Sequence, residues 1–155
     1  MTIRASVEEV QEQPVAAVRR CVAQPEIATA FRQPLSQVWD FIQRHEGLRH
    51  EGHNVFIYRV NDPECPAGKM MTDFGVQVTR AFEGEGEVIC TSTPAGRAAI
   101  TLHIGPYERL IDSYRALECW CAENGHIPSG VSWEVYGEWT EDLTKLETRI
   151  FLHLQ

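Results

Sequence analysis

Gly125-His-Ile-Pro-Ser-Gly130-Val-Ser-Trp-Glu-Val-Tyr136, set beside Gly47-Leu-Arg-His-Glu-Gly52-His-Asn-Val-Phe-Ile-Tyr58, is the stretch that decides the fold. A shift of 78 positions carries Gly47 onto Gly125, Gly52 onto Gly130 and Tyr58 onto Tyr136. Each segment leaves a helix, crosses a loop and enters a strand, so the coincidences share one structural context. Working outward, Pro14 and Pro94 sit at equivalent inter-strand turns with a shift of 80, which implies a two-residue insertion. The reading is α+β: a duplicated β-β-α-β-β module within one domain over 1–155, with pseudo-repeats at about 1–83 and 84–155. Neither copy covers its own sheet and helix face. The two are therefore expected to join edge to edge into one mostly antiparallel sheet with two main helices, leaving a central cleft at the pseudo-twofold.

The remaining elements follow from periodicity. Residues 3–22 alternate around Gln13-Pro14 and predict two strands joined as a hairpin. Leu35, Val38, Trp39 and Ile42 fall at helical spacing and predict a helix over about 29–45, stopped by Gly47. Strands are expected over 55–60, 74–82, 88–93, 98–104, 132–136 and 146–154. Asn61-Asp-Pro-Glu-Cys-Pro-Ala-Gly68 reads as a loop. A second helix is predicted over about 107–124, with Leu110, Tyr114, Leu117 and Cys121 on one stripe and Gly125 at its end.

Composition narrows the function. The 155 residues carry 22 acidic against 14 basic side chains, a formal charge of −8, the wrong sign for gripping phosphates. Nucleic acid is therefore not expected as a direct partner. No apolar leader or membrane-spanning run is present, so the expected location is the cytoplasm, with no membrane contact. The five cysteines, Cys21, Cys65, Cys90, Cys119 and Cys121, contain no C-x-x-C, and unpaired thiols are expected rather than a disulfide framework or a zinc site. His50-Glu-Gly-His53 lacks the i, i+4 helical register of a zinc hydrolase. Cys119 and Cys121 lie about 200° apart around a helix and cannot converge on one ion. No metal and no cofactor is assigned. Glu83, Glu85 and Glu87 interleave with Gly84 and Gly86, so that loop would repel phosphate rather than cradle it.

The sharpest local clue is an asymmetry between the copies. The shift of 78 places Glu134 where the first half carries Phe56. Alternation along a strand puts Ser132, Glu134 and Tyr136 on one face and Trp133 and Val135 on the other. A carboxylate among Trp39, Phe56, Tyr58, Tyr107 and Tyr136 would favour a planar, lipophilic cation. If desolvated, the same acid would have its pKa raised and could serve as a general base or acid, with Tyr136 or Tyr107 positioning water or a leaving oxygen.

His103-Ile-Gly-Pro-Tyr107, Leu117-x-x-Trp120, Trp133-Glu-Val-Tyr136 and Leu146-Glu-Thr-Arg-Ile150 together resemble the GyrI-like small-molecule-binding domain, also found as the effector-binding domain of AraC-type and MerR-type bacterial transcription activators. In the first half the resemblance runs through Pro14-Val-Ala, Val38-Trp39, Gly75-Val-Gln-Val78 and Pro94-Ala-Gly96. It implies a duplicated β/α module whose cleft holds lipophilic or cationic compounds, with the acid of the W-E-x-Y strand, here Glu134, at its centre. Trp139 is expected to add a wall.

Residues 1–155 are taken up by the ligand domain, which leaves no stretch for a helix-turn-helix. The expectation is a stand-alone binder of lipophilic, cationic or aromatic compounds, with Glu134, Tyr136, Tyr58, Phe56, Trp39, Tyr107 and Trp139 around the ligand. Two alternatives use the same scaffold: a hydrolase of electrophilic, cyclopropane-type molecules worked by Glu134, Tyr136 and Tyr107, and an interaction protein whose partner is a regulator or gyrase.

Overall fold

A computed structural model describes residues 3–48 and 52–155; His50 and Glu51 of the His50-Glu-Gly-His53 motif lie outside the described residues. The strands are β1 (Ala5–Val10), β2 (Pro14–Val22), β3 (Asn54–Arg59), β4 (Met70–Gln77), β5 (Val88–Ser92), β6 (Gly96–Ile104), β7 (Pro128–Tyr136) and β8 (Glu147–Leu154). The helices are the single turn α1 (Ile27–Ala30), α2 (Arg32–Arg44) and α3 (Leu110–Glu123). Short 3₁₀ turns at Gln24–Glu26 and Tyr107–Arg109 lead into α1 and α3. Gly47 and Gly125, the repeat mates, both take positive φ, +86° and +73°, just beyond the helix ends, a conformation that favours glycine.

All strand pairings are antiparallel, and the order across the sheet is β1-β6-β8-β7-β3-β4-β2-β5. The halves appear as β6-β8-β7 and β2-β4-β3, and each lends its first strand to the other's edge. The expected hairpin over 3–22 is thus corrected. Both strands exist, but β1 pairs with β6, whereas β2 pairs with β4 and β5. The fourth strand also shifts, from the expected 74–82 to Met70–Gln77.

This exchange forces the sheet to curl. β1 and β2 stand six strand spacings apart, about 29 Å in a flat sheet. Yet only Gln11, Glu12 and Gln13 separate them, and the four steps from Val10 to Pro14 reach about 14 Å. The β5–β6 connection imposes the same demand on the other half. The two connections meet: the Gln13 backbone N–H donates to Thr93 Oγ1 and the Thr93 backbone N–H donates to the Gln13 carbonyl, each at 3.0 Å.

The curled sheet encloses Val15 and Ala17 of β2, Val55 and Ile57 of β3, Ala98 of β6 and Trp133 of β7. Trp133 stacks on Phe151 with ring centroids 4.8 Å apart. Gly75 belongs to the same inner face, where a Cβ would fall 2.5 Å from Val15 Cγ1 and 2.6 Å from the Ala16 carbonyl oxygen. On the outer face, α2 packs Val38, Phe41 and Ile42 against Ala16, Val18 and Val76, and α3 packs Leu117 and Cys121 against Ala99, Ile150 and Leu152. The long helices sit over opposite halves, leaving the central strands β3 and β7 between them. No described helix is long and apolar enough to cross a membrane.

Two features at one end of the sheet brace it. Asp73, fully buried on β4, accepts from Arg19 at 2.7 and 3.0 Å and from Arg59 at 2.8 Å, tying β2 and β3 to the strand between them. Cys21 and Cys65 form a disulfide with Cα atoms 5.6 Å apart, which corrects the expectation that all five thiols are unpaired. The 61–68 loop returns across the end of β2, a tertiary proximity that a 44-residue separation does not encode as a motif. Cys90 and Cys119 are free and exposed, and Cys121 is free and buried.

Replacing Gly75 with Ala should overpack the inner face and cost about 1–3 kcal/mol, read as a lower Tm with the far-ultraviolet spectrum unchanged. An unchanged Tm would show that the inner face is looser than its contacts imply.

Candidate functional site

The floor of the site is the outer face of β3 and β7, where Phe56 is the cross-strand partner of Glu134 and Tyr58 of Ser132. The repeat shift also carries Phe56 onto Glu134. A pair that is both repeat mate and ladder partner lies on the axis relating the two halves, so the single acid breaks the symmetry at its centre. The walls are matching structures: residues 24–32, including Ile27 and Phe31, on one side, and residues 107–118, including Tyr107, Ile111 and Tyr114, on the other. Between them lies a cavity of about 610 Å³, of a size that holds a drug-sized molecule.

Glu134 is only 4% exposed, although it lines this cavity. Its Oε1 accepts a hydrogen bond from the Tyr58 hydroxyl at 2.8 Å and a second, short one from the Tyr136 hydroxyl. Burial pushes the Glu134 carboxyl above its ordinary pKa, while the hydroxyls of Tyr136, Tyr58 and Tyr114 and the nearby His103 pull it part of the way back. Burial and the adjacent carboxylate hold the Tyr58, Tyr114 and Tyr136 phenols well above their ordinary range, so they stay protonated. The Tyr114 hydroxyl is buried beside the same carboxyl but makes no well-formed hydrogen bond.

The neighbouring motif positions a wall. His103 is buried, with Nδ1 2.7 Å from Ser113 Oγ and Nε2 3.0 Å from the Pro106 carbonyl oxygen, so Nε2 carries the proton that this contact needs. Gly105 N–H donates to the Leu146 carbonyl at 2.8 Å. Together these fix the His103-Ile-Gly-Pro-Tyr107 corner from which Tyr107 reaches the cavity. The Tyr107 ring meets that of Tyr136 edge-on at 5.5 Å, and Tyr136 meets Phe56 at 5.0 Å.

The residues expected around a ligand therefore separate into groups. Glu134, Tyr58 and Tyr107 line the cavity. Tyr136 and Phe56 lie behind the lining, where Tyr136 holds the carboxyl and Phe56 packs with Phe31, Phe74 and Tyr136. Trp39 is placed elsewhere: it packs against the first-half core, with Nε1 donating to Asn54 Oδ1 at 3.1 Å. Trp139 is 67% exposed and outside the cavity lining.

Sequence reasoning missed Phe31, Ile27, Val60, Met70 and Ile111; Tyr114 packs on the stripe with Leu110, Leu117 and Cys121 as expected and lines the cavity as well. A signal was present for part of this. Tyr107, Ile111, Tyr114 and Glu118 recur at helical spacing and form a second stripe, displaced from the one that packs on the sheet. Among the described residues, no three metal-ligating side chains come together.

The model of the GyrI-like small-molecule-binding domain matches residues 5–155. Among solved structures, the EcmrR C-terminal domain matches with a TM-score of 0.80 at 23% identity, over 100% of this chain and 99% of that one. In the EcmrR–DNA complex the match, at TM-score 0.78 and 24% identity, covers 98% of this chain and spans 57% of that one. SAV2435 bound to tetraphenylphosphonium matches with a TM-score of 0.74 at 9% identity, over 99% of this chain and 94% of that one. A hydrolase from Listeria innocua matches with a TM-score of 0.60 at 11% identity, over 98% of this chain and 92% of that one. No curated protein sequence matches significantly. With the central acid, matched walls and curled sheet already in place, the family match settles the kinship: the chain belongs to the GyrI-like small-molecule-binding domain family.

Proposed function

We propose that residues 1–155 act as one ligand-binding unit that takes lipophilic cations, aromatic ones above all, into the cavity between its two like halves. Glu134 supplies the countercharge. The observation that carries this reading is a contrast between two buried carboxyls. Asp73 is neutralised by Arg19 and Arg59, whereas among the described residues Glu134 is hydrogen-bonded by phenols and paired with no Lys or Arg. Phenol dipoles steady a negative charge without cancelling it, so a cation entering the cavity recovers Coulomb energy at low local dielectric. Tyr107 and Tyr58 offer ring faces, and Ile27, Phe31 and Ile111 offer apolar area. The tetraphenylphosphonium held by SAV2435 is a compound of this class.

The regulator relative suggests a sensory use for such binding, and cytoplasmic residence belongs to the same reading. The Cys21–Cys65 pairing is the feature that argues for a more oxidising setting.

A second reading rests on the raised carboxyl itself, flanked by phenols, and on the hydrolase relative. Here Glu134 takes a proton from water, the water oxygen bonds to an electrophilic carbon of a strained ring, and the bond that opens leaves its electron pair on a group that a tyrosine hydroxyl positions and that takes up the proton held by Glu134.

Glu134→Gln should weaken tetraphenylphosphonium binding by about tenfold or more in calorimetric titration, as expected when a buried charge partner is lost. Equal affinity for both proteins would contradict the proposal. Wild-type affinity should fall as acidification protonates the raised carboxyl, and level off above its pKa, whereas the variant should stay flat. The same variant should melt higher than the ligand-free wild type at neutral pH. A carboxyl raised on folding takes stability away as pH rises from its unfolded to its folded pKa, and Gln keeps an acceptor oxygen without the charge. For the hydrolytic reading, incubation with cyclopropane or epoxide compounds should yield products heavier by one water, absent with Glu134→Gln; intact compounds across a broad panel would count against it.

A further inference from the structure

The hydrogen bonds to Glu134 are unevenly shared. Tyr58 and Tyr136 both donate to Oε1, while Oε2 accepts no well-formed hydrogen bond from the described residues, the Tyr114 hydroxyl being its near neighbour. The Tyr114 hydroxyl, which belongs to the same cavity lining, is buried near Glu134 and Ser132 but makes no well-formed hydrogen bond with the described residues. A phenol hydroxyl has one donor and two acceptor lone pairs, and a carboxylate oxygen only accepts. The cavity lining therefore presents two acceptors to which no described residue donates a well-formed hydrogen bond, the Oε2 oxygen and the Tyr114 oxygen. Leaving buried polar groups unmet is costly, and a ligand that meets them gains what another of equal charge and shape does not.

Resting on the cation reading above, we infer that the site is specific for protonated amines that keep at least two N–H bonds, primary or secondary ammonium groups on a lipophilic body. One N–H donates to Glu134 Oε2 and the other to the Tyr114 oxygen. Quaternary ammonium and phosphonium ions, which carry the charge without a donor, bind the same place more weakly. Tyr114 is thereby a specificity-determining residue, while Glu134 provides attraction common to all cations. The apolar walls work against this order, because each added N-methyl brings more apolar surface. A preference for the less methylated cation consequently reports hydrogen bonding and not burial.

Calorimetric titration with desipramine, imipramine and the N-methyl quaternary salt of imipramine tests this, since the three share one ring system and one positive charge near neutral pH but carry two, one and no N–H bonds. The wild-type protein should bind them in that order, with about a tenfold gap between first and last. Tyr114→Phe should weaken desipramine about fivefold, bringing it level with imipramine, and leave the quaternary salt within about twofold of its wild-type affinity. Equal wild-type affinities, or a reversed order, would overturn the inference while leaving the cation reading intact. Equal weakening of all three by Tyr114→Phe would also overturn it, because a merely structural role predicts that pattern. Binding of none of the three by the wild-type protein would overturn the cation reading and this inference together. The wild-type order is decisive by itself if the variant fails to fold.

Discussion

A carboxyl group held almost out of water by tyrosine hydroxyls is the interaction on which this account depends. Burial disfavours the Glu134 anion, and the phenols of Tyr58 and Tyr136 restore part of what water would have given it. They do so by donating to one oxygen, which leaves the charge itself uncompensated. Asp73 shows how this chain treats an acid that it needs only for structure: two guanidiniums close around it, and its position is braced between β2 and β3. The difference between these two carboxyls, on β4 and β7 with β3 between them, separates a structural ion pair from the proposed binding site.

The sheet explains why that acid sits where it does. Exchange of the first strands between halves and the short connections at 11–13 and 93–95 curl the sheet, so its inner face is filled by Trp133, Ile57, Val15 and their neighbours. The outer face then carries the helices, one long helix over each half, and the central strands β3 and β7 are left as a floor between two matching walls. The symmetry axis runs through Phe56 and Glu134. A change at that one point alters the centre of the cavity without disturbing either wall, which is how two like halves can enclose a site of unlike chemistry.

Much of this was legible in the chain. The recurrence of Gly47, Gly52 and Tyr58 as Gly125, Gly130 and Tyr136 revealed the repeat, and strand alternation put Glu134 and Trp133 on opposite faces. What stayed hidden was tertiary. The alternation of residues 3–22 marks two strands but not their partners, because β1 and β2 pair with strands about 50–95 positions away. The Cys21–Cys65 bond depends on the path of a loop, and no spacing rule encodes that path. Trp39 and Trp139 were drawn to the ligand by their chemistry alone; one is claimed by the first-half core and the other faces solvent. The cavity role of Tyr114 stays hidden because α3 carries two stripes close together, and Tyr114 both packs with the one on the sheet and reaches the cavity.

The most direct measurement is the titration of the Glu134 carboxyl itself, followed by carbon-13 resonance in protein labelled at glutamate, with Glu134→Gln providing the assignment. In the free protein this group should titrate above the ordinary carboxyl range, and saturation with a lipophilic cation should move its midpoint to lower pH, because bound positive charge favours the anion. A midpoint in the ordinary range, unmoved by the cation, would contradict the account at its centre.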